Sequence, residues 1–190
     1  FMGTIIFFSL LAVIIIWAVM AYNSLVNLKH NVSKAWANID VLLKQRHEEL
    51  PKLIEVCKQY TQFEQSTLEK VMQARSAVFN ASQSRNLEAL GSAESQLRSG
   101  LGQINAVAEA YPELKANENF QHLLGRISGL ENTIADRREF YNDSVNINNI
   151  RIEHFPDTII ARLFGFGPFN LLKFSSAQTA DVDVSKLFKS

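Results

Sequence analysis

Residues 5–22 read IIFFSLLAVIIIWAVMAY, and Ser9 is the only strongly hydrophilic side chain among them. At about 1.5 Å per residue, a helix over residues 1–22 extends for about 33 Å, and the hydrocarbon core of a bilayer is about 30 Å thick. Trp17 and Tyr22 lie toward one end of the stretch, and their amphipathic rings favour the interface between water and lipid. The stretch therefore predicts a helix that spans a membrane.

Two other interpretations of this stretch are a cleaved signal peptide and a buried helix of a soluble protein. A signal peptide needs a basic region before a shorter apolar core, and no Lys or Arg precedes Lys29. A buried helix is rarely apolar on every face over this length. We favour a retained membrane anchor, whose apolar residues are Ile5, Ile6, Phe7, Phe8, Leu10, Leu11, Val13, Ile14, Ile15, Ile16, Trp17 and Val19.

The rest of the chain is polar and balanced in charge. The 190 residues include 19 Lys and Arg and 19 Asp and Glu, and all of these charges follow Leu28. A neutral protein lacks the basic field that non-specific nucleic-acid binding needs, so we expect no nucleic-acid partner. The single cysteine, Cys57, excludes an intrachain disulfide and supports no cysteine-based zinc site.

The segment after the anchor has apolar residues at every third or fourth position, which places them on one face of a helix. This segment runs from Leu25 to Tyr60 with no Gly and with Pro51 as its only proline, so the anchor is expected to continue into it. Pro51 lacks an N–H and predicts a kink. A second helix is predicted at about 62–79, and the polar stretch NASQSRN at 80–86 is typical of a loop.

Two more helices are predicted, at 87–110 and at about 118–149. The first carries a heptad-like apolar stripe, as in a coiled coil, which Gly91, Gly100 and Gly102 weaken locally. We expect five side chains on these helices to be buried, and Glu88 and Arg98 to be exposed. The five are Leu97, Leu101, Phe120, Ile127 and Ile134.

Together these segments predict an all-α protein. Its N-terminal transmembrane helix continues into an antiparallel bundle of three to four long helices, and an irregular tail follows. The predicted division is an anchor at 1–23, a bundle at 24–155 and a tail at 156–190 that is first apolar and then polar.

The motifs of catalysis and of metal or cofactor binding are missing from the sequence. His30, His47, His122 and His154 form neither HExxH nor the paired Glu-x-x-His of di-iron bundles, and no GxSxG, P-loop or GxGxxG occurs. Glu118 and His122 share a helical face, and Glu48 and Glu49 follow His47, but a solvated polar face explains both groups. We therefore predict no enzyme, no catalytic or metal-binding residue and no cofactor.

Several polar residues interrupt the helical pattern: Asn38, Asp40, Asn132, Asn142, Asn146, Asn148 and Asn149. Asparagine is a mediocre helix former, so it persists in helices mainly where its amide makes hydrogen bonds. One interpretation is a polar network that faces a second subunit or a partner. We favour the other, in which some of these residues fix the register of the core and the rest are exposed.

Three long blocks of the sequence carry a resemblance to a known family. They read YNSLVNLKHNVSKAWANIDVLLKQRHEELPKLIEVCKQY (22–60), AYPELKANENF (110–120) and LENTIADRREFYNDSVNINNIRIEHFPDTIIARLFGF (130–166). These blocks match in order, and through them the chain resembles the LemA family of bacterial membrane proteins over nearly its whole length. The resemblance implies one N-terminal membrane anchor and a helical bundle. It carries over no catalytic residue, because the family has none established.

The chain departs from some relatives at the end of the anchor. Those relatives are lipoproteins with Cys directly before the Tyr-Asn pair, where this chain has Ala21. Direct membrane insertion is therefore expected to replace lipidation. Family associations with a membrane metalloprotease and with specialised membrane compartments imply, by analogy, a scaffold or adaptor.

The function that we predict is a non-enzymatic, membrane-anchored helical scaffold or adaptor that self-assembles or recruits partners at the bacterial cell membrane. Its expected partners are the lipid bilayer, further copies of the chain and a membrane protein that the sequence does not identify. The alternative is an accessory subunit of a membrane enzyme, such as a membrane protease, with a ligand or metal pocket between its helices.

Self-assembly is predicted from apolar surface that a monomer covers with difficulty. After the anchor, two adjacent apolar stripes are wider than one partner helix needs, and the tail adds an apolar patch at 159–169. The candidate assembly surface is Leu25, Val32, Trp36, Ile39, Leu43, Phe164 and Phe166. In the alternative, the tail folds back over the helix and the protein is a monomer.

The position of the cations predicts the side of the membrane. Lys29, Lys34, Lys44 and Arg46 all follow the anchor, so the positive-inside rule favours a single-pass protein with a cytoplasmic body. An extracytoplasmic body is the alternative, because lipoprotein relatives face outward and a basic leader, if one were removed before Phe1, would reverse the count.

Overall fold

The computed structural model describes residues 1–60 and 65–174, and within these residues the fold is all-α, as predicted. Its helices are α1 (Met2–Lys58), α2 (Gln65–Gln83), α3 (Leu87–Ala110), α4 (Pro112–Lys115), α5 (Glu118–Glu153) and α6 (Asp157–Leu163). The apolar part of the predicted tail therefore begins with a short helix. The polar part of the tail, at 175–186, lies outside the described residues.

Helix α1 is continuous over 57 residues, so the apolar stretch runs without a break into the next helical segment. Pro51 lies inside α1 and does not end it. Since proline has no N–H, the carbonyl of His47 lacks its usual intrahelical donor. Arg75 of α2 replaces that donor, because its Nε–H donates to the His47 carbonyl oxygen at 2.8 Å.

Helix α2 extends further than its sequence predicts. The predicted loop at 80–86 is helical up to Gln83. Ser82 is buried, and its hydroxyl donates to Asp40 Oδ1 at 2.8 Å. Burial of this turn outweighs the local preference of its polar residues for a loop. The connection ends at Asn86, whose side chain accepts from the Ala89 N–H and caps α3.

The chain divides into two compact units. Among the described residues, the first comprises 1–39 and 136–171, and the second comprises 40–60, 65–135 and 172–174. Helices α1 and α5 contribute to both units. The division at residues 23 and 155 stays a prediction.

The second unit has a core between its long helices. The five side chains expected to be buried on α3 and α5 are buried, and Glu88 and Arg98 are exposed, so the predicted register is confirmed. Two glycines of α3 have a packing role. A Cβ on Gly100 would lie 2.7 Å from Val71 Cγ2, and one on Gly91 would lie 2.0 Å from the Lys173 carbonyl oxygen. Both glycines allow a close approach that a larger residue would block.

Candidate membrane anchor and juxtamembrane site

The apolar stretch of α1 is uncovered. Eleven of the twelve predicted anchor residues have exposed fractions between 41% and 66%, and Trp17 is half-buried. Soluble monomers rarely expose an apolar surface of this extent, so the interpretation as the core helix of a soluble protein is wrong. Over residues 1–60 and 65–174, α1 is the one helix long and apolar enough to cross a membrane.

The last turns of this stretch pack against α6. Ala21 and Leu25 share a buried cluster with Ile160 and Ala161 of α6, and with Ile152 of α5. Trp17, Ala18 and Phe166 pack around the cluster and remain partly exposed. Helix α6 therefore lies beside the α1 turns in which Trp17 and Tyr22 predict the membrane boundary.

Aromatic rings extend this contact beyond α6. The Tyr22 ring packs edge-on against Phe164, with 4.8 Å between the ring centroids, and against Phe166 at 5.7 Å. Edge-to-face packing at these distances is a favoured arrangement of aromatic rings. The segment after α6 thus folds back onto α1. This agrees with the alternative prediction that the tail folds back over the helix.

Polar contacts hold the same segment to α5. Asn149 forms a two-way pair with the backbone of Phe169, in which its amide donates to the carbonyl and its Oδ1 accepts from the N–H, both at 2.9 Å. Tyr141 donates to the Asn170 carbonyl at 3.0 Å, and the buried Asn148 lies 3.4 Å from the Gly167 carbonyl. Asn148 and Asn149 of α5 therefore make contacts within the chain that hold this segment against the helix. Asn38, Asn132 and Asn146 are exposed.

The start of α6 is fixed by an ion pair. Asp157 is buried and accepts from Arg151 of α5, whose side chain stays partly exposed. A groove of about 510 Å³ runs along the apolar part of α1 up to this pair. It is lined by Val13, Ile16, Trp17, Met20, Ala21, Ser24, Arg151 and Asp157.

The candidate assembly surface needs correction. Its five residues on α1 (Leu25, Val32, Trp36, Ile39 and Leu43) are buried within the single chain. The Trp36 ring, for example, packs edge-on against Tyr141 with 5.9 Å between the centroids. Both stripes of α1 are thus covered by the chain itself and offer no surface to a second copy. Phe164 is exposed and Phe166 is half-buried; assembly itself stays a prediction.

The second unit contains a buried cluster of charges that joins three helices. Arg46 of α1, only 2% exposed, pairs with Glu94 of α3, and its other terminal nitrogen lies 3.7 Å from Glu131 of α5. Burial raises the pKa of Glu131, although the charges of Arg46 and Arg98 oppose the rise. A buried pair of this kind is costly to break on one side.

Two buried polar atoms on α1 have no hydrogen-bond partner, Glu49 Oε2 and His47 Nδ1. The other oxygen of Glu49 is paired with Arg126 at 2.9 Å and with Lys52 at 3.1 Å. The His47 ring stacks on Phe79, with centroids 4.5 Å apart. Within the described residues, no group of three or more His, Cys, Asp or Glu side chains could hold a metal ion.

Comparison with known proteins decides the family. The model of the LemA family matches residues 35–185, which is more than three quarters of the chain. The chain belongs to the LemA family. The predicted resemblance is therefore confirmed.

Relatives of this LemA-family chain include two differently named proteins. Magnetosome protein MamQ 2 of Paramagnetospirillum magneticum is 21% identical over 193 residues, which cover 90% of this chain and 71% of MamQ 2. Protein LemA of Metamycoplasma hominis is 27% identical over 165 residues, which cover 87% of this chain and 74% of that protein.

Sequence reasoning about this LemA-family chain missed the buried charge cluster. Arg46 was counted only as a cation near the membrane, and Glu94 was not singled out. A signal was present, because Glu94 lies on the same heptad stripe as Leu90, Leu97 and Leu101. A charge in an otherwise apolar stripe indicates a buried partner of opposite sign.

Proposed function

We propose that this chain is a non-enzymatic, single-pass membrane protein whose helical body acts as a scaffold or adaptor at the bacterial cell membrane. One observation carries the proposal: α1 exposes its apolar residues up to Ile16 and buries one face from Ala21 onward, within one unbroken helix. The same helix thus supplies an anchor for lipid and a packed element of the body.

The contacts around the end of the anchor support a fixed attachment. Helix α6 and the Phe164–Phe166 segment pack on α1 between Trp17 and Leu25. A flexible linker would let a domain turn freely about its anchor, whereas a continuous helix with packed neighbours holds the first unit to the anchor. Such attachment suits a protein that presents surfaces to partners in the plane of a membrane.

The relatives of the chain support its link to a bacterial compartment. The relative MamQ 2 is named as a magnetosome protein. Extended to this chain, that name supports a place at a bacterial compartment. Its partners would be the lipid bilayer, further copies of the chain and other membrane proteins.

The anchor is tested with Ile14→Arg in the full chain. A charge near the bilayer centre costs about 2.5–3.5 kcal/mol on insertion scales, so the variant should move to the soluble fraction or be degraded. Val41→Arg is the matched control, because Val41 is an equally exposed apolar residue of α1 beyond the anchor. Membrane retention after a carbonate wash is measured. Equal retention of both variants would contradict a spanning helix.

An accessory subunit of a membrane enzyme remains the second candidate, and a cavity in the second unit favours it. The cavity measures about 370 Å³ and is lined by Ile54, Lys58, Tyr60, Gln65, Leu68, Glu69 and Met72. Native mass spectrometry and metal analysis of the protein purified from membranes distinguish the two candidates. A stoichiometric bound metal or small molecule would favour the accessory subunit.

A further inference from the structure

Four large apolar side chains around α6 are exposed although the anchor lies beside them. They are Phe155, Ile159, Leu163 and Phe164, and each is more than half exposed. Ile159 and Leu163 are four residues apart and share one face of α6. The opposite face, with Ile160 and Ala161, is buried against α1. The short helix is therefore apolar on two sides, and within residues 1–60 and 65–174 its chain neighbours cover only one of them.

The position of α6 along α1 gives its depth relative to a membrane. Its buried face meets α1 at Ala21 and Leu25, and Trp17 and Ala18 pack at the edge of the same cluster. Phe164 contacts Tyr22. When α1 crosses the bilayer with Trp17 and Tyr22 at the boundary, the exposed face of α6 lies at the depth where hydrocarbon gives way to headgroups.

The polar residues of this region have the arrangement of interfacial helices. Arg162 is exposed between the apolar residues of α6. Arg151, near the end of α5, is partly exposed and pairs with Asp157 at the start of α6. Long cationic side chains lay their stems along apolar surface and extend their charge toward headgroups. The groove beside α1 adds an apolar floor (Val13, Ile16 and Met20) that leads up to the Arg151–Asp157 ion pair. An apolar floor below a polar end matches an acyl chain below a headgroup.

We infer that residues 155–164 form a second membrane contact, in which Phe155, Ile159, Leu163 and Phe164 enter the boundary between acyl chains and headgroups of the lipid bilayer. The inference rests on the proposed function, because α1 must be the anchor. It adds a lipid-binding surface on the body itself. With α1 and α6 both in the membrane, the body is fixed by two contacts rather than one.

The test uses the full chain with Cys57→Ala and one new cysteine: Ile14→Cys in the anchor, Leu163→Cys on α6 or Val41→Cys as the control. All three positions are exposed apolar residues, so a label is tolerated. Each cysteine carries an environment-sensitive NBD fluorophore, and the protein is reconstituted into vesicles of phosphatidylcholine and phosphatidylglycerol. Quenching by a nitroxide on the lipid headgroup or acyl chain is measured, and Ile159→Cys repeats the α6 measurement.

We expect the label at 163 to be quenched severalfold more than the label at 41, with a blue-shifted emission. Quenching at 14 together with no more quenching at 163 than at 41 would overturn the inference and leave the anchor intact. A blue shift at 163 without lipid quenching would assign the surface to a second protein copy and would also overturn it. Failure of quenching at 14 would instead refute the anchor and the proposed function with it.

Discussion

Pro51 lies in the packed part of α1, where a proline ordinarily ends or bends a helix at a cost of about 3 kcal/mol. The helix nevertheless continues to Lys58. The hydrogen bond from Arg75 Nε to the His47 carbonyl gives a physical reason, because it satisfies the acceptor that Pro51 leaves open. Arg75 is itself partly buried, and burial lowers its pKa.

Arg75→Ala should therefore destabilise the protein by about 1–3 kcal/mol, the cost of an acceptor left without a donor. Pro51→Ala restores the backbone N–H, so Arg75→Ala should cost much less in that background. The measurement is a double-mutant cycle of denaturant unfolding in mild detergent. Equal costs in both backgrounds would show that Arg75 does not act through this carbonyl.

Leu101 tests the core of the second unit. Leu101→Ala should lower the free energy of unfolding by about 2–5 kcal/mol, since it leaves a cavity among the buried side chains. Gln103→Ala is the control on the same helix, because Gln103 is exposed, and it should stay within about 0.5 kcal/mol. Similar losses for both variants would show that the buried face of α3 is assigned wrongly.

His47 gives the stability a pH dependence of known sign. Burial lowers its pKa from the ordinary 6.5, and the charge of Arg75 lowers it further. Below pH 6.5 the unfolded chain therefore binds more protons at this residue than the folded one, and folding is weakened as the pH falls through the folded-state pKa. Glu131 acts in the opposite sense, because its pKa is raised from 4.5 and its stabilisation is lost as the pH rises.

His47→Phe isolates this contribution, because a phenyl ring retains the stacking on Phe79. The variant should lose less stability than the parent between about pH 7.5 and pH 5.5. His30→Phe serves as the control for the substitution itself, since His30 is exposed. Denaturant unfolding at a series of pH values provides the measurement, and a His47→Phe profile identical to the parent's would contradict the assignment.

At the scale of helices, Arg46 joins α1 to α3 and α5 through Glu94 and Glu131. Arg46→Met should cost about 3–5 kcal/mol, because it leaves buried carboxylates without their cation. Replacing all three residues together, with Glu94→Leu and Glu131→Leu, should recover most of this loss.

The control is Lys44→Ala, at the exposed Lys44–Asp40 pair, which should cost less than about 1 kcal/mol. Unfolding of the four proteins measures the differences.

The helices and their buried faces were predictable because burial imposes a period on the sequence. The stripe through Leu97 and Leu101 shows that period directly, and the structure has the same residues in the core. The exposed apolar face of α1 was likewise predictable from length and composition. Local pattern was enough for these features.

The predictions that differ from the structure failed because of contacts between residues far apart in sequence. Ser82 lies 42 residues from its acceptor Asp40, so nothing local shows why 80–83 is helical. The apolar residues of α1 are buried by residues such as Tyr141 and Ile152, which lie more than 100 residues away in the sequence. The sequence offered the return of the tail onto α1 only as an alternative for the same reason, because neither segment alone shows that α6 contacts Ala21 and Leu25.

At the scale of the whole molecule, the side of the membrane is tested by protease protection. Lys29 and Lys34 are exposed on α1 shortly after the anchor, and the positive-inside rule places such cations in the cytoplasm. The body should therefore resist protease added outside intact spheroplasts and be digested once they are lysed. Digestion from outside would place the body on the extracytoplasmic side.

Self-assembly requires a surface other than the covered stripes of α1. Helix α5 provides one, since Phe140, Ile147 and Ile150 are exposed apolar residues near one face of the helix. Confinement to a membrane plane raises the local concentration of copies and favours closed symmetric assemblies.

We expect the protein in mild detergent to have the mass of two or more of its 21.4 kDa chains. The mass is measured by light scattering corrected for detergent. Ile147→Glu should reduce that mass to one chain, whereas Leu163→Glu, on the surface assigned to lipid, should leave it unchanged. A parent protein with the mass of a single chain would end the assembly hypothesis.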